Sequence, residues 1–240
     1  MSTIVEQNSF IKQTALLVLK YIVLKKRMIY GGLAVMIGFL IISILLTKFF
    51  TTENQIFGPL LFSTSAILIT YGGYAFSSTM FNELNSSGSA TQFLTLPASA
   101  LQKLIAAWFV SFVAYTAVGV AAIYILSKII DTNVISVPIT ASLPSLYTYI
   151  VMHSIFLFGA VYFKTNNFLA TVVAMLFVFI ALSLTFLVLS SFMLDVKTGY
   201  FNPSYYINET KHWVKILITT IISLTFLSLT YLRLKNRQIA

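Results

Sequence analysis

Cysteine is absent from this sequence, only 9% of its residues are charged, and only six are acidic. The missing cysteines exclude disulfides, thiolate metal sites and a cysteine nucleophile, and they leave the compartment undetermined. The scarcity of charge has the larger consequence. A soluble globular chain has about 25% charged and about 45 to 50% apolar residues, whereas here 58% are hydrophobic and the mean hydropathy is +0.92. Such a chain cannot cover its own surface in water. The expected fold class is an all-α membrane protein. At about 20 residues per crossing, six spans use about 120 residues, which leaves loops but no room for a large extramembrane domain.

Acidic residues are also missing where ion-coupled carriers use them. Glu6, Glu53, Glu83, Asp131, Asp195 and Glu209 all fall in flanks or loops, so no carboxylate is expected at mid-membrane to bind a coupling ion. The five prolines, Pro59, Pro97, Pro138, Pro144 and Pro203, lie in loops or near span ends, which speaks against the broken helices of many secondary transporters. Only two histidines occur, His153 within a span and His212 outside. Intramembrane hydrolysis needs a nucleophile with its base, or several metal ligands, in one cavity. Neither an H-E-x-x-H helix nor a paired-carboxylate helix is present, so no catalytic residue, no metal site and no enzyme activity are expected. A G-x-x-x-x-G-K-[ST] phosphate loop is missing too, so any ATP-derived energy must come from a partner. His153 has two readings: a neutral ring hydrogen-bonded to a neighbouring helix, or a proton relay or metal ligand.

What is present is apolar runs. Six candidate spans cover 28–50, 55–76, 104–127, 143–163, 168–193 and 214–232. Residues 1–27 end in Lys25, Lys26 and Arg27 and mix Phe10, Ile11, Leu16, Leu17, Leu19, Ile22 and Val23 with polar positions. They are expected to form an N-terminal amphipathic helix on the membrane surface. A signal peptide has an apolar region of about 7 to 15 residues. The first run is 23 residues long and is expected to remain as an anchor.

An even number of spans puts both termini on one side. With the termini inside, Lys12, Lys20, Lys25, Lys26, Arg27, Lys103, Lys164, Arg233, Lys235 and Arg237 are inside, against Lys48, Lys128, Lys197, Lys211 and Lys215 outside. Counting Glu6 and Glu83 inside and the other four acids outside gives 10 − 2 = +8 against 5 − 4 = +1. Both termini are therefore expected in the cytoplasm. The basic excess reads as a topology signal with attraction to anionic lipid, and no separate basic domain exists to hold nucleic acid.

Two spans carry stripes of small and mildly polar residues. Ser63, Ala66, Thr70, Gly73 and Ser77 share one helix face in the second, and Asn167, Thr171, Ala174, Ala181 and Thr185 repeat the pattern in the fifth. Close helix packing is one reading, and a lateral cleft or dimer interface passing an amphipathic substrate is the other. The small pairs Ala107 with Ser111 and Ala117 with Ala121 in the third span read as packing. The Ser and Thr of the sixth span can bond their own backbone carbonyls, and no function is assigned to them.

The cytoplasmic segment 81–103 carries the most specific pattern. Ser87 or Ser89 can cap a short helix through Thr91, Gln92 and Phe93, which Pro97 ends by restricting Leu96. Ser99 with Gln102 forms an S-x-x-Q capping box leading into the third span. Phe93, Leu94 and Leu96 are expected as exposed apolar residues that another protein covers.

Taken together, the amphipathic N-terminus, the six runs, the short helix after the second span, and Leu96-Pro97-Ala98-Ser99 followed by Lys103 resemble the permease subunits of type-2 ABC exporters, the ABC-2 family. The resemblance implies a cytoplasmic coupling helix, with Glu83, Thr91, Gln92, Phe93, Leu94, Leu96, Pro97 and Ser99 in the segment that meets a separate ABC ATPase subunit, and Lys103 at the membrane edge. ATP and magnesium would belong to that partner, with no cofactor in this chain. It also implies a second permease copy or a paralogous permease. The outer loop 194–213, with Tyr200, Phe201, Tyr205, Tyr206 and Trp213, matches the short outer helices of the family and suits the lipid interface. A composition leaning to Ile, Lys and Asn suggests a bacterium, and the expected location is its cytoplasmic (inner) membrane. The expected function is an ATP-driven exporter of an apolar or amphipathic cargo. The alternative is a non-transporting membrane scaffold or anchor for an envelope complex, in which the same loop simply docks a partner.

Overall fold

The computed structural model describes residues 2–50, 57–129, 139–193 and 212–239. These residues form helices, with short turns at 79–86, 95–99 and 163–166, and no strand occurs among them. Helix α1 is Ser2–Phe50 and α2 is Phe57–Ser78. A 3-10 turn, Asn82–Asn85, and a short helix α3, Ser87–Leu94, follow. Then come α4, Ala100–Trp108, a π-helical turn, Phe109–Ala114, and α5, Tyr115–Ile129. Helix α6 is Ile139–Tyr162, α7 is Asn167–Met193 and α8 is His212–Ile239. The outer loop expected at 194–213 lies outside the described residues except for His212 and Trp213, which begin α8.

Among the described residues, three helical stretches are long and apolar enough to cross a membrane: Ala100–Ile125, Asn167–Val188 and Val214–Gln238. Helix α7 shows how far lipid replaces protein as its surroundings. It is apolar all round, and Val172, Leu176, Phe177, Phe179, Leu182 and Leu187 are all exposed on it. Helix α1 runs without a break through 27 and 28, where a surface helix was expected to give way to a span. Its 49 residues rise about 74 Å at about 1.5 Å each, more than twice a hydrocarbon core of about 30 Å.

Helix α6 packs on α2, α7 and α8, while α1 packs on α2 and α4. The principal core gathers at the end of the bundle where the chain leaves α2 and enters α4. Phe76, Met80, Phe81, Leu84, Phe93 and Leu104 are buried there with Leu17 and Tyr21 of α1, Leu157 and Val161 of α6, and Leu234 of α8. A second, smaller cluster of Tyr74, Tyr149 and Phe156 lies between α2 and α6.

The α6–α7 turn is tight because Asn166 takes a left-handed backbone, φ 48°, a conformation that asparagine tolerates better than most residues. Phe163 N donates to Gly159 O at 3.0 Å on the way out of α6, and Ala170 N donates to Asn166 O at 2.9 Å on the way into α7.

Candidate functional site

The segment between α2 and α4 is the place where polar side chains from distant parts of the sequence converge. Its capping box forms as the sequence requires. Gln102 N donates to Ser99 Oγ at 3.2 Å, and Ser99 N donates to Gln102 Oε1 at 2.8 Å. The other expected caps do not. Neither Ser87 nor Ser89 occupies the N-cap of α3; Ser86 does, without a side-chain capping bond. The Ser89 hydroxyl instead donates to Glu83 O at 2.7 Å and contacts the Ser86 hydroxyl. That bond folds α3 back on the preceding turn, which satisfies Ser89 as well as a cap would.

The expected apolar surface of α3 is also corrected. Phe93 is only 2% exposed, packed edge-on against Phe81 with ring centroids 6.2 Å apart. The Lys103 ammonium lies 5.0 Å from its ring centroid. Leu94 and Leu96 are half-buried against the same core. This chain covers them itself, because the short helix turns its apolar face inward against Phe81 and the principal core. What α3 leaves outward is polar: Ser86, Gly88, Thr91, Gln92 and Thr95 are exposed.

Lys103 is fully buried and donates to Leu94 O, the last carbonyl of α3, at 3.3 Å. A cation at a helix C-terminus meets both an orphan acceptor and the negative end of the helix dipole. Lys103 therefore fixes α3 onto α4. Pro97 is exposed and Glu83 half-buried.

Four further ties fasten the segment to other helices. Lys25 Nζ of α1 donates to Thr79 O at 2.8 Å. Burial lowers the Lys25 pKa from its ordinary value, and the nearby Glu83 carboxylate opposes that shift. Gln102 Nε2 donates to Gln13 Oε1 at 2.9 Å and to Phe10 O at 3.3 Å, which holds α4 to α1. Gln238 Nε2 of α8 donates to Ala98 O at 3.3 Å. Asn167, at the start of α7, binds both the turn at Asn82–Asn85 and the end of α6. Lys25, Gln13, Asn82, Asn85 and Gln238 were not singled out in the sequence. Lys25 sits in a basic run that topology already explained, and nothing local marks a glutamine or asparagine whose partner lies tens of residues away.

Ser99→Ala removes one half of the capping box, and N-cap losses of this type cost about 0.5 to 2 kcal/mol. Thermal unfolding of the detergent-solubilised protein should show a lower midpoint for Ser99→Ala, with Ser99→Thr close to the native value.

The stripes divide along their length. On α2, Gly73 and Ser77 are buried, Thr70 is half-buried, and Ser63 and Ala66 are exposed. A Cβ on Gly73 would run into the Tyr149 hydroxyl and ring, so this position is a close helix contact. On α7, Asn167 and Thr171 are buried, Ala174 is half-buried, and Ala181 and Thr185 are exposed. A Cβ on Gly159 of α6 would meet the Thr171 hydroxyl. Both stripes thus pack near the principal core and open away from it. Ala107 and Ser111 are buried, while Ala117 and Ala121 are exposed.

A groove of about 610 Å³ runs between α2, α6 and α7, lined by Thr70, Tyr71, Tyr74, Thr148, Met152, Phe156, Phe168, Val172 and Met175. Of the stripe residues only Thr70 reaches it. The walls are apolar with tyrosine and threonine hydroxyls at intervals, a lining that suits an amphipathic molecule better than an ion.

His153 is fully buried, with its ring edge-on to Phe112 at 5.2 Å and to Tyr149 at 6.1 Å. Its nitrogens face the Ser111 backbone, as the expected tie to a neighbouring helix requires, but no hydrogen bond of normal geometry forms there among the described residues. Phe112 lies in the π-helical turn, a local irregularity the sequence did not signal. Among the described residues no group of three or more His, Asp or Glu gathers to hold a metal ion. No protein-family model, no curated protein and no solved structure matches the chain.

Proposed function

We propose that this chain is the permease subunit of an ATP-driven exporter, in which a separate ABC ATPase binds the segment between α2 and α4. The observation that carries the reading is the construction of that segment: a short helix with a polar outward face, backed by a buried core and tied to α1, α7 and α8. A force applied at α3 thus reaches several helices at once. The chain would cross a bacterial inner membrane six times with both termini cytoplasmic, and it would pair with a second copy or a paralogue. ATP and magnesium would be held by the partner. The groove beside Thr70, Tyr71 and Tyr74 would receive an apolar or amphipathic cargo such as a lipid, peptide or drug.

Because Phe93 and Leu94 face inward, the contact with the ATPase belongs to the polar face of α3. Gly88 and Gln92 are exposed on it, and nothing lies within 4 Å of where a Gly88 Cβ would stand. Arginine at both positions should reduce ATPase recovery in co-purification at least tenfold. The permease's own stability should stay within about 0.5 kcal/mol, the usual range for surface changes. Unchanged recovery would remove the docking role from α3. ATP-dependent movement of a fluorescent lipid or drug analogue across proteoliposomes separates transport from a scaffold that binds the same partner without moving anything.

A further inference from the structure

Asn167 is 5% exposed and spends its whole side chain on three other elements. Its Nδ2 lies 3.4 Å from Ser78 O at the end of α2, 3.2 Å from Asn82 Oδ1 in the 3-10 turn and 3.1 Å from Ala160 O near the end of α6. Its Oδ1 accepts from Asn85 Nδ2 at 3.4 Å. Its backbone carbonyl accepts from Thr171 Oγ1 at 2.7 Å, and Thr171 in turn fills the space beside Gly159. One buried amide therefore joins the turn ahead of α3 to the α6–α7 hairpin.

We propose that Asn167 is a positioning residue: the joint through which displacement of the Asn82–Leu94 stretch is passed to the α6–α7 hairpin. The polar alternatives near it are few. Lys25 ties the same region to α1, and Gln102 and Gln238 act on the far side of Pro97. The direct polar link from the 3-10 turn to α7 runs through the Asn167 amide. Buried amides with several partners hold one arrangement firmly and cannot be half-satisfied cheaply, so the turn and the hairpin move together or separate entirely. The mechanical role rests on the exporter reading; the joint itself does not, and the two are tested separately.

The chain has no cysteine, so cysteines introduced at Gly88 and Lys164, both exposed, can carry spin labels without a background. In the reconstituted full chain, the distance between the labels should be narrowly distributed. Asn167→Leu should raise the population with α3 displaced from the hairpin about tenfold or more, the consequence of losing the amide's contacts to Ser78, Asn82, Asn85 and Ala160. Thr185→Leu, on an exposed part of α7, should leave the distribution as it was. If Asn167→Leu fails to fold, the pair Asn82→Ala with Asn85→Ala breaks the joint from its exposed side and should produce the same broadening. A native-width distribution in a folded variant of either kind overturns the joint, whether or not an ATPase binds. If the joint holds but no ATPase is captured, the exporter reading fails and Asn167 remains a structural clamp. If both hold, Asn167→Leu should bind the ATPase and hydrolyse ATP while losing transport.

Discussion

Replacing Gly73 with leucine is expected to abolish the folded bundle or to lower its thermal midpoint far more than Leu68→Ala on the same helix. A Cβ at this position already collides with Tyr149, and Tyr149 has little freedom to withdraw. Its hydroxyl is 3.1 Å from Thr116 Oγ1, and its ring stacks on Phe112 at 5.4 Å and lies 5.6 Å from Tyr74. A leucine would push α2 from α6 or break that aromatic stack. Overpacking in a close-packed interior costs about 1 to 3 kcal/mol and at times more. Leu68→Ala, at a half-buried position on the same helix, removes packing without forcing helices apart. Thermal unfolding and yield in detergent should rank Gly73→Leu well below Leu68→Ala. Equal behaviour of the two would remove any special status from Gly73.

The second large effect concerns Phe93. Aspartate there should destabilise the whole end of the bundle where α2 gives way to α4 rather than selectively release a partner. Truncating a buried phenylalanine costs about 3 to 5 kcal/mol, and the carboxylate would be taken out of water as well. Lys103 lies close enough to the ring to offset part of that charge, but it would have to leave the Leu94 carbonyl to do so. Thermal unfolding and protease resistance should fall sharply for Phe93→Asp. Gln92→Asp, one residue earlier on the exposed face, should change either by little. If Phe93→Asp retains native stability, the inward packing of α3 is wrong and its apolar face is open to a partner after all.

The contrast between these neighbours shows where sequence reading runs out. That a short helix would end ahead of Pro97 followed from a local rule, because proline restricts the residue before it, whereas the expected serine cap did not form. Which face of that helix meets the protein did not follow from it. Eight residues, Ser87–Leu94, are too few for a hydrophobic period to declare itself, and an inward Phe93 needs Phe81 and Lys103 already in place. The Ser99 and Gln102 capping box was legible because both of its bonds are local. The bonds from Gln102 to Gln13 and Phe10 were not, since they depend on α1 lying across α4.

The stripes were legible as faces and illegible as functions. Spacing by three and four places Ser63, Ala66, Thr70, Gly73 and Ser77 on one side of α2 whatever surrounds it. Only the approach of Tyr149 distinguishes Gly73, a contact, from Ser63, which is exposed. The same holds for Thr171 and Thr185 on α7, chemically alike and placed four turns apart, one filling the space beside Gly159 and the other bonded only to its own helix through Ala181 O.

By itself the sequence pointed to a helical membrane protein, because 58% hydrophobic residues with 9% charge cannot cover a surface in water, and they lie in long unbroken runs rather than in the alternation of a barrel strand. The strongly apolar runs and the Ser99–Gln102 capping box are likewise fixed by near neighbours along the chain. Tertiary structure alone decided that Phe93 is core, that Lys103 clamps α3 to α4, and that Asn167 is shared among three elements. Those outcomes depend on polar groups brought together across as many as 89 positions, as for Asn167 and Ser78, and a buried donor chooses its acceptor by proximity in space, which no spacing along the chain encodes.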